Sequence, residues 1–214
     1  MYLTWKKQTI TDFSDQNINE LYSQGFLFTR ESKGAMYETR SVRVDLSKFE
    51  LSSENRRILR KSENLKLEVS TLPHPSYDWR IAKFGHDFYT QKFGDKIFSA
   101  NKIKELLTDQ EKSNFNLLLG YQDLTTVGYA ICYSNDEILH YSYPFYSLLF
   151  TSYSLGMSMM TRAIVWAKEN DKKYVYLGSA KDSAALYKFQ FKGVEWWNGE
   201  MWKTDLEELK NSVK

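Results

Sequence analysis

Apolar and polar residues alternate along two stretches near the start of the chain, which is the pattern of half-exposed β-strands. In SVRVDLSKF, Val42, Val44 and Leu46 alternate with charged or small polar residues. The stretch LKLEVSTL repeats this pattern and predicts that its alternate residues, Val69 and Thr71 among them, face inward. The segment between these two stretches predicts a short helix.

The following part of the chain predicts two helices, an antiparallel meander and a crossover. YDWRIAKFGHDFYTQKF, ending near Gly94, and ANKIKELLTD are typical of helices. FNLLLGYQ, TTVGYAICYS and EILHYSYP are β-type runs joined by short turns, as antiparallel neighbours are. The next stretch has one apolar helical face and leads directly into KYVYLG. That face carries Met157, Met160, Ile164 and Ala167. A strand, a helix and a strand in succession predict a parallel βαβ crossover.

The end of the chain adds a short helix at about residues 183–189, a strand in GVEWWNGEMW, and a last helix. Thr204 and Glu207 have the spacing of a capping box, which predicts the start of that helix. Together these elements predict an α+β fold with a mixed sheet, an antiparallel meander and one βαβ crossover. The proline-containing LPHPS is the visible break. It separates residues 1–72, expected to pack onto the main domain, from residues 73–214.

Composition restricts the chemistry that this chain can perform. The 29 basic and 27 acidic residues nearly cancel, so any cationic surface has to be local. The single cysteine, Cys132, excludes an internal disulfide and a cysteine-rich metal site made by this chain alone, and we interpret it as a buried core residue. His74, His86 and His140 are isolated and lack metal-ligand spacing, so we expect no metal.

The expected location is the cytoplasm, without a membrane partner. The N-terminal MYLTWKKQTITDF has no long apolar segment of the kind found in signal peptides. Residues 138–161 contain no charged residue, but their many Ser and Tyr residues and Pro144 make a bilayer-spanning helix a poor interpretation. A lone cysteine suits a reducing compartment.

The start of the predicted crossover helix is the first candidate site. Backbone N–H groups at such a start favour anions or developing oxyanions. The residues at this place are Ser154, Leu155, Gly156, Met157 and Ser158. One glycine is weaker evidence than the glycine-rich loops that surround a pyrophosphate. The alternative is an ordinary helix start capped by Ser154.

The second candidate is the helix predicted in SENRRILRK. Residues four apart lie on one side of a helix, so four cations share a side while Ile58 and Leu59 turn toward the body. The cations are Arg56, Arg57, Arg60 and Lys61. They form either a solvated charged face or a site for phosphates. About four phosphate contacts to a single-stranded end would give a salt slope of about −3.

These stretches carry a resemblance to a known family. SENRRILRK at 53–61, SLG at 154–156, YVYLG at 174–178 and YKFQFKGVE at 187–195 resemble the arginyl-tRNA-protein transferase family, including its bacterial leucyl-transferring relatives. The resemblance runs, with gaps, from about Tyr37 to Glu195. It implies the acetyltransferase-like (GNAT) fold. It also implies that an amino acid moves from the 3′ end of a charged tRNA onto a protein N-terminal α-amine, with no further cofactor.

The resemblance also implies roles for individual residues. The family's motifs match Arg56, Arg57 and Arg60, Ser154 to Gly156, and Tyr187, Lys188, Phe191 and Glu195. The cations, with Lys61, would hold tRNA phosphates or an acidic acceptor side chain. The N–H groups of Gly156 and Met157 would face the reacting carbonyl or the terminal ribose. Tyr187 would pass a proton and Lys188 would neutralise charge. Leu155, Ser158 and Tyr176 complete the expected substrate-binding set.

Structural roles remain the alternatives for several of these residues. Tyr187 alternatively packs as part of an amphipathic helix, and Glu195 is expected to form a structural ion pair. The aromatic stretch YSYPFYSLLFTSYS lines the substrate pocket or belongs to the core. The chain lacks the family's cysteine cluster, so no metal-linked role is expected. It also has SAKDSAAL after Tyr-Leu-Gly, where the family has a longer, bulkier segment.

The predicted reaction needs little acid–base assistance. An aminoacyl ester is already activated, and an α-amine with a pKa of about 7.7 to 8.0 is partly neutral at pH 7. Two other functions remain open: an acyl-CoA-dependent N-acetyltransferase, which would take acetyl-CoA, and a non-catalytic protein that binds tRNA or peptide. A small amine in place of a protein N-terminus is a further possible acceptor. DNA is not an expected partner.

Overall fold

The computed structural model describes residues 3–150 and 153–212. The strands are β1 Lys6–Thr9, β2 Phe26–Phe28, β3 Ala35–Glu38, β4 Ser41–Asp45, β5 Lys66–Thr71, β6 Leu117–Asp123, β7 Thr125–Ser134, β8 Ile138–Tyr146, β9 Tyr174–Ser179, β10 Val194–Trp197 and β11 Trp202–Lys203. The helices are α1 Asp15–Ser23, α2 Ser53–Lys61, α3 Trp79–Phe93, α4 Ala100–Thr108, α5 Leu155–Glu169 and α6 Leu206–Ser212, with a 3₁₀ helix at Ser183–Gln190.

An eight-stranded mixed sheet organises the fold, with the strand order β11-β10-β4-β9-β8-β7-β6-β5. The pairing of β8 with β9 is parallel, and every other neighbouring pair is antiparallel. Strands β6 to β8 form the predicted meander, and β8, α5 and β9 form the predicted crossover. The α+β class is therefore confirmed. A second sheet, β1-β3-β2, is not anticipated by the sequence patterns.

Apolar side chains cover both faces of the large sheet. Leu119 and Ala130 pack in the cluster that contains α5, whereas their neighbours Leu118 and Ile131 pack in the cluster that contains α3 and α4. This alternation follows from the two-residue period of a strand. Cys132 is fully buried on the α5 side, as interpreted from the sequence, and burial raises the pKa of its thiol.

The edge strand β5 differs from the sequence prediction. Val69 is 41% exposed and Thr71 is also exposed, so the expectation that both face inward is wrong. Only Leu67 of this strand packs against the cluster around α5. At the edge of a sheet a strand has fewer neighbouring side chains than a central strand, so alternation in the sequence does not ensure burial.

Two helix starts also differ from the prediction. The capping residue of α6 is Asp205 and not Thr204, because the Asp205 carboxylate accepts hydrogen bonds from the backbone N of Glu207 at 2.8 Å and of Glu208 at 3.1 Å. Ser154 precedes α5, but its side chain makes no capping hydrogen bond. Gly94 follows α3, as predicted.

The expected division of the chain at residue 72 stays a prediction. Strands β4 and β5 precede that boundary and belong to the same sheet as β6 to β11. Within the two described ranges, no helix is long and apolar enough to cross a bilayer.

Gly25 tests the packing between the two sheets. It has a φ of 78°, and an added Cβ would lie 2.2 Å from Cδ1 of Trp197. Gly94 also has a positive φ, but an added Cβ there meets nothing within 4 Å. We expect Gly25→Ala to lower the free energy of unfolding by about 2 kcal/mol more than Gly94→Ala, because only Gly25 adds overpacking to backbone strain. Urea unfolding measures the difference, and equal losses would contradict the close contact with Trp197.

Candidate functional site

The candidate site lies where the parallel strands of the sheet separate. β8 and β9 pair only at Ile138–Tyr174, Leu139–Val175 and His140–Tyr176. Beyond His140, β8 continues beside β7 to Tyr146, and β9 continues beside β4. The register of each of these outer pairings shifts near this point, at Ile131/Cys132 and at Ser41/Arg43. Such irregularities bend strands, so the two bends open a gap between β8 and β9.

Lys188 projects from the 3₁₀ helix to the end of β9. Its Nζ donates a hydrogen bond to Ser179 O at 2.8 Å and lies 3.6 Å from the position of an added Cβ on Gly178. The residue is only 8% exposed. Burial lowers the pKa of Lys188 to about 8, and the nearby Asp182 carboxylate opposes part of this decrease. The side chain is therefore a buried cation with an unusually labile proton.

His140 accompanies Lys188 as a neutral group. Burial, and then the charge of Lys188, lower the pKa of His140 to about 3. Its Nδ1 is hydrogen-bonded to the Tyr22 hydroxyl at 2.9 Å. The imidazole therefore carries no charge at neutral pH, and the positive charge at this end of β8 and β9 belongs to Lys188.

The 3₁₀ helix contacts Met157 in the first turn of α5 through Gln190. The Gln190 side chain donates to Tyr187 O at 2.7 Å and contacts the Met157 sulfur at 3.3 Å. The Tyr187 ring is 47% exposed, and its partial burial raises its pKa. The structure thus brings the predicted residues of the 3₁₀ helix to the start of the crossover helix.

Gly156 has a packing role at this place. An added Cβ would lie 2.8 Å from the hydroxyl oxygen of Tyr146, so only glycine permits this ring to approach the helix. The Tyr146 hydroxyl accepts a hydrogen bond from Lys92 Nζ at 2.7 Å. The glycine of Ser-Leu-Gly is therefore explained without a bound phosphate.

The cationic helix α2 packs beside α5 and keeps its charges at the surface. Its exposed cations are Arg56, Arg57, Arg60 and Lys61. Arg57 makes a bidentate contact with Glu54 at 2.5 and 2.7 Å, and Arg56 donates to Leu51 O at 2.6 Å. Arg60 and Lys61 form no ion pair within residues 3–150 and 153–212. Ile58 is buried, as the sequence predicts.

A cavity of about 280 Å³ connects the two candidate stretches. It is lined by Arg57, Ile58, Lys61, Tyr153, Ser154 and Ser158. Ser154 and Ser158 are four residues apart and face α2, whereas Gly156 and Met157 face Tyr146 and the 3₁₀ helix. The first turn of α5 therefore has a cationic side and a side that contacts the 3₁₀ helix through Gln190.

Four residues singled out by the sequence are buried inside the molecule. Leu155 is buried, and Tyr176 is 1% exposed with its ring against Tyr22 and Trp202. Leu155 and Tyr176 are therefore not part of the candidate site. Glu195 accepts from Arg43 at 2.8 Å and from Lys48 at 3.0 Å, which confirms the expected ion pair. Phe191 belongs to the core.

Several residues at the site are not anticipated individually. Tyr146 and Tyr153 lie in the uncharged aromatic stretch. The sequence predicts a role for this segment but does not single out either ring. His140 gave no signal. Arg162 is the only charged residue in the first thirteen residues of α5, LGMSMMTRAIVWA, and this isolation is a signal that pattern matching passes over. In the described ranges, no group of three or more His, Cys, Asp or Glu residues is placed to hold a metal ion.

Comparison with known proteins identifies similar folds. No protein-family model matches the sequence, and no curated protein sequence is significantly similar to it. L-PGS from Bacillus licheniformis has a TM-score of 0.50 and 13% identity, over 78% of this chain and 52% of that one. The C-terminal domain of a putative lysylphosphatidylglycerol synthetase from Agrobacterium fabrum has a TM-score of 0.50 and 13% identity, over 82% and 55%.

A third similar structure is an acetyltransferase. It is the GCN5-related glucosamine N-acetyltransferase region of a fungal multi-domain β-N-acetylglucosaminidase, with a TM-score of 0.50 and 10% identity over 88% of this chain and 22% of that one. The chain spans about half the length of the first two structures. These similarities establish a GNAT-like α+β fold. Membership of the arginyl-tRNA-protein transferase family stays a prediction.

Lys188 makes a testable contribution to stability. Its pKa is about 8 in the folded protein and about 10.4 in an unfolded chain, so the unfolded chain binds more protons between these values and stability rises with pH across this window. Lys188→Met removes this dependence. From pH 7.5 to pH 9.5, the unfolding free energy of the wild type should rise by about 2 kcal/mol relative to that of Lys188→Met. Lys104→Met, an exposed substitution on α4, is the control; a constant difference for Lys188→Met would refute the burial of its charge.

Proposed function

We propose that the protein transfers an aminoacyl group from a charged tRNA onto an amine, with a protein N-terminal α-amine as the acceptor. The observation that carries the proposal is the position of the first turn of α5. One side of this turn faces the cations of α2 across a cavity, and the other contacts Gln190 of the 3₁₀ helix that carries Tyr187 and Lys188. A transferase of this kind needs an anionic RNA end and an amine to meet at one place.

The cationic side suits the 3′ end of the tRNA. Arg60 and Lys61 are available for phosphates, and Arg57 can exchange Glu54 for a phosphate oxygen. Arg56 lies on the same exposed side of α2. Single-stranded RNA ends are commonly held by cations together with an aromatic ring. Tyr153, which lines the cavity, can provide such a ring.

The other side suits the reaction itself. The neutral amine attacks the ester carbonyl, a C–N bond forms, and the C–O bond to the terminal ribose breaks. N–H groups of Gly156 and Met157 in the first turn of α5 would stabilise the developing oxyanion. The positive charge of Lys188 would favour the neutral form of the incoming amine. Tyr187 would transfer the proton lost by the amine to the departing ribose oxygen, so that no proton is gained or lost.

The structural similarities support transfer chemistry on this fold. The name of the Agrobacterium protein describes the synthesis of lysylphosphatidylglycerol, in which a lysyl group is attached to a lipid. The fungal region is described as an N-acetyltransferase that acts on glucosamine. Among these possibilities, the motif resemblance and the cationic helix favour aminoacyl transfer from tRNA.

An acyl-CoA-dependent N-acetyltransferase is the second candidate, favoured by the similarity to the fungal region. The helix start argues against it. The first turn of α5 has a single glycine, and its α-carbon is covered by Tyr146. The close, glycine-rich approach of backbone to a pyrophosphate is therefore missing from this turn.

A transfer assay tests the proposal. We expect acid-stable label to move from a pool of tRNAs charged with radiolabelled amino acids to peptides that differ in their N-terminal residue, because an amide replaces an ester. Lys188→Met should reduce the rate at least tenfold, and Lys104→Met should leave it unchanged. Label transferred only from acetyl-CoA in a parallel reaction would favour the second candidate. Label from neither donor would indicate a binding protein.

The α2 cations should dominate the salt dependence of RNA binding. Each phosphate contact to a single strand contributes about 0.7 to the slope of log K against log salt. Arg60→Ala with Lys61→Ala should therefore weaken tRNA binding about tenfold and reduce the slope by about 1.4. Fluorescence anisotropy at several salt concentrations measures both quantities. The matched control, Arg80→Ala with Lys104→Ala, removes two cations from α3 and α4 on the opposite face of the sheet, and an equal loss there would refute a local site.

A further inference from the structure

Arg162 is a partly buried arginine that forms no ion pair within the described residues. It lies in the middle of α5, and its guanidinium donates a hydrogen bond to Ser62 O, just beyond α2. Its Nε is buried and has no hydrogen-bond partner in the part of the chain that the structure describes. Most arginines in such positions form bidentate contacts with a carboxylate or a phosphate.

The charge of Arg162 is not balanced by an acidic side chain. Burial lowers the pKa of Arg162, and the groups that act against this decrease are the hydroxyls of Tyr153 and Tyr121. Glu63 and Glu169 line the surface groove beside Arg162, but neither is within ion-pair distance. Burial of an uncompensated charge destabilises a fold unless a ligand or another function requires it.

The position of Arg162 relates it to the cavity between α2 and α5. Ser154, Ser158 and Arg162 are spaced four residues apart and form one stripe along α5. Tyr153 lines that cavity and is close enough to Arg162 for their charges to interact. On its other side, Arg162 lines a surface groove of about 540 Å³. Arg162 therefore lines the groove, and Ser158, one turn before it on α5, lines the adjoining cavity.

We propose that the cleft between α2 and α5 binds a phosphate group, with Arg162 as its buried anchor and Arg57 and Lys61 at its entrance. Arg162 lines the groove of the cleft, and the adjoining cavity is lined by two cations, two serines and an aromatic ring. Its volume of about 280 Å³ is near the lower limit for small-molecule sites, which suits a phosphate and part of its nucleotide. The inference rests on the proposed function for the source of this phosphate, the 3′ end of the RNA.

The phosphate would complete the hydrogen bonding of the cleft. A guanidinium that already donates one N–H to Ser62 O has its remaining N–H groups available for phosphate oxygens. Arg57 would exchange Glu54 for the ligand, since a phosphodiester, like the Glu54 carboxylate, has two charged oxygens that accept a bidentate contact and is also attracted by Lys61. Glu54 therefore competes with the phosphate for the Arg57 guanidinium.

Binding of a single-stranded RNA ending in CCA, measured by fluorescence anisotropy, tests the inference. We expect Arg162→Met to weaken binding at least tenfold while its melting temperature stays equal to or above that of the wild type, because an unpaired buried charge is removed. Arg162→Lys should recover only part of the affinity. Arg80→Met, the same substitution on the opposite face of the sheet, should bind as the wild type does. Wild-type affinity in Arg162→Met would overturn the inference.

Glu54→Gln provides a test that does not depend on the folding of Arg162 variants. Removal of the competing carboxylate should tighten RNA binding about threefold, because Arg57 no longer has to leave an ion pair. Unchanged or weaker binding would count against the cleft as the phosphate site.

Coenzyme A and pyrophosphate, tested with the same variants, separate this inference from the proposed function. Arg162-dependent binding of coenzyme A without RNA binding would support the phosphate site and overturn transfer from tRNA. If the wild type and Arg162→Met bind RNA with equal affinity, the proposed function still holds, but Arg162 is not the phosphate-binding residue. A failure of all three ligands to bind would overturn both.

Discussion

The short parallel pairing of β8 with β9 is the constraint on which the rest of the site depends. Three residue pairs join the strands, and then each strand follows its antiparallel neighbour. The register shifts opposite β8 and β9 bend the strands away from each other. The resulting gap is next to the carboxyl end of β8, where the chain has to start α5. The first turn of that helix, the 3₁₀ helix and α2 consequently converge around one opening in the sheet.

The electrostatics of this region differ from those of the surrounding core. Lys188 is buried with a lowered pKa, His140 is buried and neutral, and Arg162 is partly buried without a carboxylate. Each of these groups destabilises the fold relative to an apolar residue of similar size. Lys188 lies at the end of β9 and Arg162 in the middle of α5, so these two charges belong to the region where a substrate would bind, whereas the neutral His140 packs against Tyr22 and Phe115 on the other face of the sheet. This pattern is typical of sites that exchange stability for function.

The parts of the fold that the sequence predicts are those set by local periodicity. The meander, the crossover and α2 follow from residue spacing that tertiary contacts do not override. Strand β2 has only three residues, all buried, and therefore lacks the alternation that identifies strands. Val69 is the opposite case: the alternating pattern is present in the sequence, but the side chain is exposed at the edge of the sheet. The proximity of α2 to α5, which creates the cavity, arises from long-range packing and has no local signal. The environment of Arg162 likewise depends on Ser62 and Tyr153, which the fold brings close to it, and cannot be predicted from the sequence.

Hydrogen–deuterium exchange with a stable, amide-linked mimic of aminoacylated RNA tests the central claim most directly, because it locates the bound end on the protein. We expect slower exchange in residues 53–61 and 153–162 and in the 3₁₀ helix that carries Lys188, with no change in α4. Protection confined to α4, on the opposite face of the sheet, would contradict the convergence of RNA and acceptor at the start of α5.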